Sequence, residues 1–129
     1  MIYYLSPEQI LDLHRSQVGR FGGHSGIRDR DALQAAAARP AMTFDGHDLY
    51  PDMAAKAAAL MHSLLTRHPF VDGSKLVAVH ATLLFLAVNG WAWEISPDAL
   101  EGTTMAAARG EMDVEPLTIW FRQRIRELD

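Results

Sequence analysis

The sequence predicts an all-α domain, and three observations carry that expectation. Alanine, leucine and methionine are abundant while β-branched runs are short, a balance that favours helix over sheet. Apolar residues recur at helical spacing at Met53, Ala57, Leu60, Met61, Leu64 and Leu65, which marks one face of a helix. Between Leu76 and Val88 only His80 and Thr82 are polar, the pattern of a helix buried on all sides at the centre of a domain.

The elements follow in order. Ile2–Leu5 is a candidate short strand. Ser6-Pro7-Glu8-Gln9 is a helix start: Ser6 caps, Pro7 suits the first turn, and Gln9 completes a capping box. This helix is expected to run to about Ser16 and to bury Ile10, Leu11 and Leu13. Residues 19–28 form a glycine-rich loop, after which Asp29 caps a helix near Arg30 to Ala38, stopped by Pro40. Asp45-Gly46 reads as a turn. A third helix begins near Asp52 and ends at His68, because Pro69 disfavours helical geometry in the residue before it. A fourth spans about Ser74 to Asn89 with Gly90 as its stop, and Leu76, Val79, Leu83, Leu84 and Leu86 are expected to be mostly buried. Trp91–Ile95 reads as a second short strand, a partner for Ile2–Leu5. Ser96-Pro97 opens a fifth helix ending at Gly110, and a last helix covers about Glu115 to Leu128.

Length and charge bound the function. A chain of 129 residues suits a single domain spanning 1–129. At that size folding buries roughly two thirds of the unfolded surface, so no disulfide or structural metal is needed. There is no cysteine, which excludes disulfides and thiolate metal sites and fits a cytoplasmic location. No signal peptide and no apolar span of membrane length is visible. The net charge of −4 argues against direct nucleic-acid binding, which calls for a basic face. Arg122, Arg124 and Arg126 are accompanied by Glu127 and Asp129 and read as a solvated terminal helix.

The chemistry concentrates in His68-Pro69-Phe70-Val71-Asp72-Gly73-Ser74-Lys75. This stretch enters the N-terminus of the fourth helix, where free N–H groups and a partial positive charge favour phosphate. Gly73 lets backbone approach an anion closely, and Lys75 adds a mobile cation. Asp72 suits Mg²⁺, which takes one or two carboxylates plus phosphate oxygens. His68 is a candidate base for a hydroxyl proton. Together these groups suit phosphoryl or nucleotidyl transfer to an alcohol. Taken singly, each has an ordinary structural explanation: a helix-end histidine, a turn pair at Asp72-Gly73, a capping serine, a first-turn lysine. The remaining histidines (His14, His24, His47, His62 and His80) show no zinc-hydrolase spacing, and His80 is expected as a hydrogen-bonded core histidine.

The same stretch resembles the signature of the Fic/Doc (Fido) family, specifically its Doc branch, H-x-F-x-D/E-G/A-N-K-R-T-A. Further segments resemble that family in the same order: Gly26-Ile27-Arg28-Asp29, Ala36-Ala37-Ala38-Arg39-Pro40, Asp48-Leu49-Tyr50-Pro51, and Phe85-Leu86-Ala87-Val88-Asn89-Gly90. The resemblance implies a compact helical fold around a central helix. It implies transfer from a nucleoside triphosphate, with ATP as substrate and Mg²⁺ as cofactor, to a protein hydroxyl. For a Doc toxin it implies an antitoxin partner and phosphorylation of elongation factor Tu. By position His68 is the base, Asp72 the metal ligand, Gly73 and Ser74 line the anion hole, Lys75 contacts phosphate, and Phe70 anchors the loop in the core. Three departures stand out: Ser74 replaces asparagine, Leu76 replaces a phosphate-clamping arginine, and Val77 replaces threonine. Arg28 and Arg67 are the candidates to supply the missing guanidinium. Three functions stay open: an active Doc-like kinase, an impaired pseudoenzyme that binds antitoxin or nucleotide, and a Fic-type AMP transferase.

Overall fold

The computed structural model describes residues 1–129. Six helices carry the fold: α1 (Pro7–Phe21), α2 (Arg30–Ala38), α3 (Met53–Arg67), α4 (Ser74–Val88), α5 (Pro97–Ala108) and α6 (Val114–Arg122). Two short antiparallel ribbons accompany them, β1 (Thr43–Phe44) with β2 (His47–Asp48), and β3 (Trp91–Trp93) with β4 (Ile125–Glu127). None of the helices is long and apolar enough to cross a membrane. The expected all-α class is the observed one.

Helix starts follow their capping chemistry. Ser6 and Gln9 form the reciprocal capping box of α1, and Asp29, Asp52 and Ser96 each accept a backbone N–H at the head of α2, α3 and α5. The α3 stop at His68 is as expected. Asp45 and Gly46, both at positive φ, make the tight turn between β1 and β2, a ribbon that the turn signal alone did not disclose.

Every residue of α3 except His62, Thr66 and Arg67 is buried. Its alanines let α2, α4, α5 and α6 pack around it, so α3 occupies the middle of the core. The expectation that α4 is buried on all sides needs correction. Val77, Ala78, Ala81, Thr82, Phe85 and Leu86 form its buried stripe. Leu76, Val79 and Leu84 are half-buried and Leu83 is 39% exposed. His80 is only half-buried, so it is no core histidine.

The chain ends also differ from expectation. Ile2–Leu5 forms no strand; its backbone is held instead by Asn89, whose side chain accepts the Tyr3 N–H at 2.8 Å and donates to the Tyr3 carbonyl at 2.9 Å. The strand Trp91–Trp93 pairs with Ile125–Glu127, and the last helix stops at Arg122. Pairing with an available strand edge overrides the helix propensity of this segment. The α1 helix runs past Ser16 to Phe21, closed at Gly22.

A polar cluster ties the 3₁₀ turn Arg39–Ala41 to α3. The Arg39 guanidinium donates to the Tyr50 hydroxyl at 2.9 Å and the Ser63 hydroxyl at 3.0 Å, and lies 3.1 Å from His62 Nδ1. Lys56, 2% exposed, donates to Asp48 and to the Tyr50 carbonyl. These contacts join two of the family-like sequence segments, those around Arg39-Pro40 and Asp48–Pro51. Arg39 can only donate, so His62 Nδ1 is an acceptor and Nε2 carries the proton.

Burial, then the Arg39 charge, hold the His62 pKa below its ordinary 6.5, with Asp113 opposing and Arg67 assisting. The unfolded chain therefore takes up this proton first as pH falls. The His62 contribution is complete above about pH 6.5, declines from there toward the lower folded pKa, and stops changing below it. We expect the melting temperature to fall as pH drops below about 6.5, and His62→Asn to flatten that part of the profile. An unaltered pH profile in the variant would show that His62 contributes nothing to it.

Candidate functional site

The site is built where α3 turns into α4. His68 closes α3 in the left-handed region, at φ 47, a conformation that costs a non-glycine residue about 1 kcal/mol. Three features hold it there. Pro69 excludes a continued helix. The Arg28 guanidinium donates to the carbonyls of Arg67 and His68, each at 2.6 Å. The Arg28 and Asp29 N–H groups both donate to the Pro69 carbonyl, while Val71 N–H donates to the Gly26 carbonyl. The segment Gly26–Asp29 thus braces the loop as a short bridge, with Ile27 opposite Phe70.

Phe70 is 1% exposed and stacks on the buried His14 ring, with centroids 3.9 Å apart and planes 6° from parallel. It anchors the loop in the core, as its position in the motif suggests. Past this anchor the chain surfaces again at Val71 and Asp72. One carboxylate oxygen of Asp72 accepts the His24 N–H at 2.9 Å, which folds the glycine-rich loop against the site. The other, Oδ1, has no partner in the protein and is open to a cation.

Gly73 is the N-cap of α4, at φ 79, and supplies no side-chain cap. The heads of α1, α2, α3 and α5 are each satisfied by a side chain, whereas those of α4 and α6 are not. The first N–H groups of α4 point out of the helix unpaired. A cavity of about 410 Å³ opens in front of them, lined by His68, Asp72, Gly73, Ser74, Lys75 and Leu76 with Leu65, Val71 and Ala108 behind. The His68 Nδ1 lies 3.5 Å from the Ser74 hydroxyl. The structure therefore brings His68, Asp72, Gly73, Ser74 and Lys75 around one space.

The two arginines expected to replace the missing clamp do not line this cavity. Arg28 is engaged with the end of α3, and Arg67 is exposed at the last turn of that helix. Leu76 lines the cavity and also a neighbouring apolar cleft of about 360 Å³ between α4 and α5, with Val79, Leu100 and Met105. The wall where the motif would carry a guanidinium is aliphatic.

Two buried polar residues of α1 reach the same loop and were missed in the sequence. His14 is fully buried, with Nε2 2.6 Å from the Asp72 carbonyl, and Gln17 Nε2 donates to the Gly73 carbonyl at 3.1 Å. A signal was present: Ile10, His14 and Gln17 share one helical face, so two polar residues occupy core positions of α1.

The arrangement is a histidine-bearing left-handed turn leading into an uncapped helix head inside a small helical fold. The sequence profile of the Fic/DOC family matches residues 4–86, and the chain belongs to that family. Among individual proteins, it is 43% identical over 90 residues to a protein of Mycolicibacterium smegmatis named Toxin Doc, covering 70% of this chain and 67% of that one. It is 29% identical over 120 residues to the protein of Escherichia phage P1 named Protein kinase doc, covering 93% of this chain and 94% of that one.

The brace at Arg28 can be tested directly. Arg28→Met should lower unfolding stability by about 1–2 kcal/mol, since two hydrogen bonds are lost and each has a usual net value of about 1 kcal/mol. Amide exchange at Asp29 and Val71 should quicken, because both N–H groups depend on the same bridge. Unchanged exchange at both would mean the loop is held without Arg28.

Proposed function

We propose that this chain is a Doc-like toxin that transfers the γ-phosphate of ATP to a hydroxyl of a translation protein, elongation factor Tu, and is neutralised by an antitoxin protein. One observation carries the reading: His68 and the bare head of α4 share a single cavity with Asp72, Ser74 and Lys75. The names borne by the two relatives support it.

The residues have matching roles. The α4 head and the Lys75 ammonium hold the donor phosphates. His68 takes the proton from the acceptor hydroxyl as its oxygen forms a bond to the γ-phosphorus and the bond to the β-phosphate oxygen breaks, releasing ADP. The free Oδ1 of Asp72 suits Mg²⁺, because a single carboxylate beside phosphate oxygens is an ordinary magnesium donor set. The ion, when bound, neutralises charge on the phosphates.

Leu76 favours a second reading, an impaired enzyme that keeps antitoxin and nucleotide binding. An aliphatic side chain offers no fork to fix the transferring phosphate. A Fic-type AMP transferase is the third arm of the test. Lys75 weighs against it, since Fic enzymes carry glycine at that position of the motif.

Incubation with ATP labelled at the γ- or α-phosphate, using purified elongation factor Tu as acceptor, separates the three. Label from the γ-position alone is the expected outcome. Label from the α-position would assign AMP transfer, and none from either would assign the impaired enzyme. If the missing guanidinium limits the rate, Ser74→Asn with Leu76→Arg should raise transfer at least about tenfold, equivalent to about 1.4 kcal/mol of barrier. His68→Ala in that background should abolish the gain. No gain in the double variant would place the limit elsewhere.

A further inference from the structure

We infer that His14 and Gln17 are positioning residues for the anion-binding N–H groups of Gly73 and Ser74. The inference rests on the reading of the α4 head as a phosphate site. It starts from two hydrogen bonds to consecutive carbonyls: His14 Nε2 lies 2.6 Å from the Asp72 oxygen and Gln17 Nε2 is 3.1 Å from the Gly73 oxygen.

A trans peptide is planar, so its C=O and the following N–H point in opposite directions. Drawing the Asp72 carbonyl toward α1 turns the Gly73 N–H away from α1. The same holds for the Gly73 carbonyl and the Ser74 N–H. No residue of α1 lines the cavity in front of α4, so the helix works from behind the peptides. Neither N–H donates within the protein.

The two side chains are held firmly enough to do this. Both are buried, His14 at 0% and Gln17 at 5% exposure. A carbonyl only accepts, so His14 must carry its proton on Nε2. The other ring nitrogen, Nδ1, is buried without a partner, as is Gln17 Oε1. Each residue therefore gives up one hydrogen bond to keep its donor on the loop. The His14 ring is clamped face to face on Phe70. Gln17 approaches so closely that a Cβ on Gly73 would lie 2.1 Å from its Nε2. Glycine at 73 thus serves this approach as well as the positive φ.

The test uses His14→Phe, which keeps a stacking ring but removes the donor, and Gln17→Met, which keeps chain length. His14→Gln places an amide donor near the original Nε2 and serves as rescue. In the ligand-free protein, nitrogen-15 spectra should show the Gly73 and Ser74 amide signals displaced in His14→Phe and Gln17→Met and restored in His14→Gln. In calorimetric titration with Mg²⁺–ATP, and separately with inorganic tripolyphosphate, each of the two donor-less variants should bind roughly tenfold more weakly, with His14→Gln near the wild type. In an active background the loss should fall on KM for ATP more than on kcat. Amide signals and affinities that match wild type in both variants would overturn the inference. Should either variant fail to fold, the other decides. If wild type binds neither ATP nor tripolyphosphate, the phosphate-site reading fails by itself, and the amide signals alone decide whether α1 orients the two peptides.

Discussion

The site depends on one buried side chain, Phe70, packed in the core beneath the loop that carries it. The chain has only residues 68–73 in which to leave α3, turn and enter α4. A loop that short has no conformational slack once a central residue is pinned, and Phe70 is pinned at 1% exposure. On one side of the pin lies His68 in its left-handed turn; on the other lie Asp72 and the head of α4. The separation of His68, Asp72 and the helix end is thus fixed by core packing, where a shift of one methylene is felt energetically, and not by the mobile surface. That is how a site placed almost wholly on exposed residues can be rigid.

A second layer of order comes from the segment Gly26–Asp29. Its Arg28 and Asp29 N–H groups donate to the Pro69 carbonyl, its Gly26 carbonyl accepts from the Val71 N–H, and the Arg28 guanidinium is engaged with the end of α3. An arginine near a phosphate site invites assignment as a phosphate ligand. Here its bonds go to backbone oxygens, which a bidentate donor satisfies well. The helix head is left as the fixed positive group and Lys75 as the mobile one.

Much of this was legible in the chain. Caps at Ser6, Asp29, Asp52 and Ser96 are local chemistry and mark helix starts without tertiary information. Pro69 announces the end of α3, and the resemblance to the Fic/Doc motif marks Phe70 as the loop's anchor. The gathering of His68, Asp72, Gly73, Ser74 and Lys75 follows from their adjacency. What escaped were features decided by distant partners. β4 exists because Trp91–Trp93 offers an edge, and residues 125–127 read locally as helix. Ile2–Leu5 looks like a strand but finds the side chain of Asn89 in place of a ladder. The uniform apolarity of α4 says that it can be buried, not which neighbours arrive; α3, smaller in side chain, took the centre. His14 and Gln17 are polar side chains on the inward face of α1, where their spacing from Ile10 places them.

The left-handed turn at His68 has an evolutionary consequence. Glycine would sit at φ 47 without the roughly 1 kcal/mol that a β-carbon costs there. Mutational drift toward a more stable molecule therefore leads away from histidine at this position, and each such step removes the only imidazole in the cavity. Selection for folding alone and selection for chemistry pull in opposite directions at a single codon. On the proposed function, a lineage that no longer needed the reaction would gain stability by losing His68, and decay of the activity would be recorded early at this position.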